Sequence, residues 1–237
     1  MKGRVNGKER GRGMKATIGK LARFALLSVA LAPLGACALA DVASGPAPSL
    51  YVLTAPAAEL PATAQATQAQ LVVEEFSAPA AIDTSRIVFQ PSPNEIKYYA
   101  GARWSDRAPS MIASLLVETL TDTGRFPAVI GPGNRVRADL ALVGDIRTFA
   151  AYKPESAGLG EGAAKVRVVL FVRLVNVRDR SIVAAREFSA EAPSTGIGME
   201  GIVGGYDAAL DTVLSEIAVW TFEQSLTALP REAAPSS

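Results

Sequence analysis

The sequence predicts an α+β domain, a mostly antiparallel sheet with two main helices packed on one face. Three observations predict it. Several segments between residues 71 and 193 alternate apolar with polar side chains, the period of a half-buried strand. Two others, "APSMIASLLVETLTDTGRF" and "IVGGYDAALDTVLSEIAVWTFEQSL", repeat apolar residues every three or four positions, the period of an amphipathic helix. Their order is strand, hairpin, helix, meander of strands, helix, which favours strands pairing with sequence neighbours.

The elements follow in chain order. "LVVEEF" at 71–76 is a short apolar run and reads as a strand. Residues 86–104, "RIVFQPSPNEIKYYAGARW", read as a hairpin, with Arg86–Gln90 and Glu95–Tyr99 flanking the turn signal "PSPN". In the first helix Pro109 suits the opening turn, Ile112, Leu115, Leu116 and Leu120 share a face, and Gly124 is the natural stop. "ADLALVGDIRTF" alternates Leu140, Leu142 and Ile146 against Asp139, Val143, Asp145 and Arg147. "AKVRVVLFVRLVNV" sets Val166, Val168, Leu170, Val172 and Leu174 on one face. Its other face mixes Arg167 and Arg173 with Val169, Phe171 and Val175, so that face is partly covered or paired. "RDRS" then turns into "IVAAREFSAEA" as a hairpin partner. The last helix steps through Ile202, Tyr206, Leu210, Val213, Ile217 and Trp220, leaving Asp207, Asp211, Glu216 and Glu223 for solvent.

The N-terminal region is of a different kind. Residues 1–36 carry eight Lys or Arg and one acid, Glu9, and end in the apolar run "FALLSVALAPLGA". A basic segment, a short apolar core and a small-residue exit make a secretory signal. The run is too short for a membrane span, which needs about 20 apolar residues. Met14 is an alternative start, because the signal is complete from there. "LGAC", Leu34 to Cys37, resembles the lipobox of bacterial lipoproteins, in which the cysteine becomes the lipidated first residue. That resemblance makes Cys37 the lipid-attachment site. Ala38 after it, by the same resemblance, favours the outer membrane over retention at the inner one. Residues 37–70 are Ala/Pro-rich and read as a tether with a short strand at 50–53, the domain occupies 71–226, and 227–237 is a loose tail.

Charge and composition exclude whole classes of function. Residues 1–36 hold 8 of the 24 basic and 1 of the 23 acidic residues, which leaves 16 against 22, a net −6 after removal of the signal. An acidic domain lacks the Lys/Arg surplus on which nucleic-acid binding rests, so no nucleic-acid partner is expected. The chain has no histidine and one cysteine. Ser-His-Asp and Cys-His nucleophile systems cannot be built, nor the usual Cys/His zinc sites. No intramolecular disulfide is possible either. A carboxylate-pair hydrolase remains conceivable, but no spacing suggests one. The reading is therefore a non-enzymatic protein with no catalytic residues, no metal and no cofactor.

Two stretches invite a functional reading. "GIGMEG", Gly196 to Gly201, matches G-x-G-x-x-G after a strand and before a helix. A dinucleotide fingerprint also needs a second parallel strand and an acid about 20 residues on, and no strand follows this helix. The stretch reads as a flexible loop, with Gly196 and Gly198 as candidates for contact with a partner. "EIKYYAGARWSD" groups Tyr98, Tyr99 and Trp104. Core and hairpin packing is the plainer account; an aromatic anchor for a protein partner is the other.

In order along the chain, Cys37, "YVL" at 51–53, the "RIV" and "EIKYY" strands, "WSD", the Leu-rich helix ending in "TGRF", "ADLALVGDI" and "EIAVW" resemble the ABC-type transport auxiliary lipoproteins. The resemblance implies a periplasm-facing, outer-membrane lipoprotein. It implies as partners an MCE-domain protein with its ABC permease and ATPase, and a role in lipid transport as a docking component. An adaptor for lipopolysaccharide or secretion machinery is the alternative.

Overall fold

The long strand "LALVGDIRTFAAY" is the spine of the structure, a computed structural model that describes residues 47–61, 65–134, 136–153, 164–194 and 198–228. The elements are β1 (Ser49–Tyr51), β2 (Leu71–Val73), β3 (Arg86–Ser92), β4 (Glu95–Trp104), α1 (Ala108–Asp122), β5 (Val129–Ile130), β6 (Leu140–Tyr152), β7 (Lys165–Asn176), β8 (Ile182–Pro193) and α2 (Gly198–Ala228). β7 lies antiparallel along the whole of β6, and β8 antiparallel along β7. The other edge of β6 is shared. β2 pairs in parallel with Leu140–Leu142, and β3 pairs in parallel with Ala151 and Tyr152. β4 closes the hairpin with β3, β1 adds in parallel to β4, and β5 adds in parallel to β2.

The fold is α+β, but the sheet is mixed, which corrects the expectation of a mostly antiparallel one. Four strand pairings are parallel and three antiparallel. The physical reason is the crossover. Strands joined by tight turns pair antiparallel, whereas β3 reaches β6 only after α1 has carried the chain back, and such a connection yields a parallel pair.

Helix α1 has the expected boundaries. Pro109 sits in its first turn, and it stops at Asp122 ahead of Gly124, whose φ of +62° suits a residue without Cβ. α2 buries Tyr206, Leu210, Val213, Ile217 and Trp220 as the period requires. It packs on β7 and β8, and α1 packs beside it and over β2 and β5. An aromatic cluster locks α2 to the sheet. Trp104, Phe149 and Tyr206 stack with centroids 4.7–5.8 Å apart. The Tyr206 hydroxyl donates to the Val88 carbonyl at 2.6 Å and accepts from the Ala151 N–H at 2.8 Å. One side chain thus joins β3, β6 and α2.

Two acids of α2 do not face water as expected. Asp207 accepts from the Thr54 N–H at 2.8 Å and the Thr54 hydroxyl at 3.0 Å. One Asp211 oxygen is buried with no hydrogen-bond partner among the described residues. The Thr54 contact belongs to a second difference. Composition suggested a loose tether to residue 70, yet Leu53, Thr67 and Ala69 are buried. β1 is the short strand expected near 50–53, and Thr67 donates its N–H to Arg125. Strand pairing and a few side chains hold an Ala/Pro-rich segment that propensity alone leaves as coil. The signal, Cys37, residues 38–46, Gly196 and residues 229–237 lie outside the described residues.

Candidate docking site

The hairpin of β3 and β4 is built by a two-residue turn, Pro93–Asn94, between the paired Ser92 and Glu95. The Gln90 amide donates to the Pro93 carbonyl at 2.9 Å and fastens the turn. From Arg86–Arg103 to Val88–Tyr98 the register moves two residues on β3 and five on β4. The extra residues form a bulge, where Gly101 takes φ +69° and lies exposed beside Ala100. β1 covers only Ala102–Trp104 of the outer β4 edge. Residues 95–101 therefore form an arm whose outer edge is unpaired among the described residues.

The bulge decides where each aromatic residue points. Trp104 is 1% exposed and belongs to the core. Its burial corresponds to core packing, the plainer of the two sequence readings, so it offers no exposed anchor, and its indole N–H has no partner among the described residues. Tyr98 and Tyr99 remain half-buried on the arm. Tyr98 lies under the Arg86 guanidinium, 3.5 Å from the ring centroid, and its hydroxyl donates to the Ala81 carbonyl at 3.2 Å. Tyr99 packs on Phe89 with centroids 5.5 Å apart, and burial pushes its phenol above the usual value. Ile96, two positions before Tyr98, is 47% exposed.

Beside the arm is a cleft of about 200 Å³, walled by Ile82, Val88, Ile96 and Phe149, with Gln90 and Arg147 at its polar side. Arg147 is the extra residue of a second bulge, opposite no residue of β7. Its guanidinium lies 4.4 Å from the Phe171 ring centroid and pairs with Glu187. Next to it Asp145 accepts from the Ser77 hydroxyl and, at 2.7 Å, from Arg173. The Ser77 hydrogen bond, then Arg173, hold the Asp145 carboxyl below its usual range. These pairs explain the mixed outer face of β7: charges lie over Phe171 instead of standing free. The groups present can grip an apolar side chain and a hydrogen-bonding edge.

Gly198 opens α2 at the β8–α2 junction, not on the arm, and Gly196 is outside the described residues. Sequence reasoning missed Arg147. Its signal was a phase change: apolar inward positions run 140, 142, 146 and then 149, 151, so one residue must bulge between Ile146 and Phe149.

Comparison with known proteins agrees with this architecture. The family described as "ABC-type transport auxiliary lipoprotein component" matches residues 51–218. An uncharacterized protein of Bradyrhizobium diazoefficiens is 25% identical over 158 residues, 67% of this chain and 41% of that protein. The chain thus spans less than half the length of that relative. The crystal structure of protein XCC0632 from Xanthomonas campestris superposes with a TM-score of 0.68 at 27% identity, covering 76% of this chain and 97% of that one. A crystal structure of another uncharacterized protein shares the fold alone, at TM-score 0.50 and 15% identity.

Proposed function

The chain belongs to the family of ABC-type transport auxiliary lipoprotein components, and from that premise we propose a non-enzymatic, lipid-anchored docking protein of an envelope lipid transporter. Cys37 carries the acyl chains and holds the protein on the periplasmic side of the outer membrane. The partner is an MCE-domain protein, which connects to an ABC permease and ATPase. The observation that carries the reading is the family match over 51–218, together with the lipobox before it. The hairpin arm supports it. An unpaired strand edge can accept a strand of another protein, with main-chain bonds for affinity and the Ile96 cleft for a side chain.

Acylation and residence are tested by labelling with radioactive palmitate and sucrose-gradient fractionation. The wild type is expected to be labelled and to sediment with the outer membrane, and Cys37→Ser to lose both properties. Equal solubility of the two forms in the periplasm would end the reading.

A further inference from the structure

We infer that the outer face of β1 and β4, built by Leu50, Val52, Arg103 and Arg86, rests on a bilayer containing anionic phospholipid. The inference depends on Cys37 being acylated, as proposed above. Leu50 and Val52 are 66% and 67% exposed, the two most exposed large apolar side chains among the described residues. Strand register sets what stands beside them. Leu50 pairs with Arg103 in β1–β4, and Arg103 pairs with Arg86 in the hairpin. Side chains of directly paired residues share a face of the sheet. The row therefore runs Leu50, Arg103, Arg86, apolar at the edge and cationic inward. Tyr51 alternates to the other face, where it pairs with Trp104 and packs on the core.

Three other strand arginines, Arg147, Arg167 and Arg173, each hold a carboxylate, and Arg186 on β8 lies over the Phe188 ring. Arg86 and Arg103 are exposed and have no carboxylate partner among the described residues. Arg86 lies over Tyr98, which leaves its N–H edges free. A guanidinium fork matches the geometry of a phosphate oxygen pair. Two aliphatic side chains beside two uncommitted arginines suit the bilayer interface, where aliphatic chains enter the acyl boundary and cations meet phosphate.

Chain length brings this face to that surface. Nine residues, 38–46, separate Cys37 from Ala47, and β1 starts two residues later. Ten steps of chain span at most about 35 Å, and about 17 Å as a coil. An acylated Cys37 keeps β1 within that reach, at an effective concentration where a weak contact suffices.

The full acylated chain is the test material. Its one cysteine is consumed by the lipid, so Leu50→Cys or Val52→Cys supplies the sole free thiol for an environment-sensitive fluorophore. Ile182→Cys, on the exposed edge strand β8, is the control. In vesicles of phosphatidylcholine doped with phosphatidylglycerol, the probe at 50 or 52 is expected to shift to the blue. Spin-labelled lipid is expected to quench it, and the control probe to stay water-like. Arg86→Glu with Arg103→Glu is expected to abolish the shift while the chain stays vesicle-bound. Three results overturn the inference. A chain that is acylated and bound, with probes at 50 and 52 as accessible to aqueous iodide as at 182, refutes the patch alone. A blue shift that persists in detergent and grows with protein concentration assigns the patch to a second copy. A chain that is never acylated removes the tether, and the proposed function with it.

Discussion

Tyr206→Phe removes one oxygen and leaves the ring in place. The lost hydroxyl serves two backbone groups, the Val88 carbonyl at 2.6 Å and the Ala151 N–H at 2.8 Å, and Tyr206 is fully buried. Both groups sit where β3 meets β6, next to the Phe89–Ala151 pair. A net hydrogen bond contributes about 1 kcal/mol, and a buried group left without a partner costs about 1–3 kcal/mol. The expected loss is about 2–4 kcal/mol. In a domain of this size about 3 kcal/mol lowers Tm by about 6–12 °C. Urea denaturation should show a lower midpoint with unchanged slope. Tyr99→Phe is the control, since the Tyr99 hydroxyl has no hydrogen bond among the described residues. Burial also pushes the Tyr206 phenol well above its ordinary value. The folded state then holds its proton longer than the unfolded chain, so stability is undiminished below about pH 10 and falls as pH rises beyond it. That alkaline loss should shrink in Tyr206→Phe. A loss under about 0.5 kcal/mol for Tyr206→Phe, within reach of the Tyr99→Phe control, would refute the account of this junction.

Gly144→Ala would place a Cβ 2.7–2.8 Å from three atoms of the Phe76 ring, so a loss of about 1–3 kcal/mol is expected in thermal unfolding, reduced when Phe76→Leu is added. Trp104→Ala should cost about 3–5 kcal/mol in denaturant titration, because it empties part of the aromatic cluster. Asp211 is pushed up first by burial and then by Asp207, so its folded carboxyl binds a proton more readily than the unfolded one. Its penalty is present above the ordinary carboxylate range and relieved on protonation. Asp211→Asn should therefore raise Tm at neutral pH and lose that gain below about pH 4.

The helices and the two antiparallel hairpins were legible in the sequence because period and turn chemistry are local. Ile112–Leu120 and Tyr206–Trp220 mark their buried faces directly. Parallel pairing was not legible. Which edge of β6 receives β2 and β3 depends on residues about 60–70 positions away, and nothing in "LVV" or "RIVF" encodes that choice. Core packing was the plainer reading of the Tyr98–Trp104 segment, but the bulge at Gly101, which breaks the alternation between Tyr99 and Ala102, kept the sequence from separating the buried Trp104 from the half-buried Tyr98 and Tyr99. The docking of residues 54–61 was hidden by composition: that stretch is mostly alanine and proline, and its hold depends on Asp207, 153 residues from Thr54. Arg147 could have been found from the phase change between Ile146 and Phe149.

The proposed docking onto an MCE-domain protein is tested in living cells by a photo-activated cross-linker in place of Ile96. Ile96 is exposed, lines the cleft and lies on the unpaired arm, so a substituted side chain there leaves the core untouched. One dominant adduct is expected, with the MCE-domain protein, in the wild-type background. The adduct should be lost in Cys37→Ser, because that form is no longer held at the membrane. A folded, acylated, membrane-borne protein that forms no adduct with the MCE-domain protein, and does not co-purify with it after general cross-linking, would rule the docking role out.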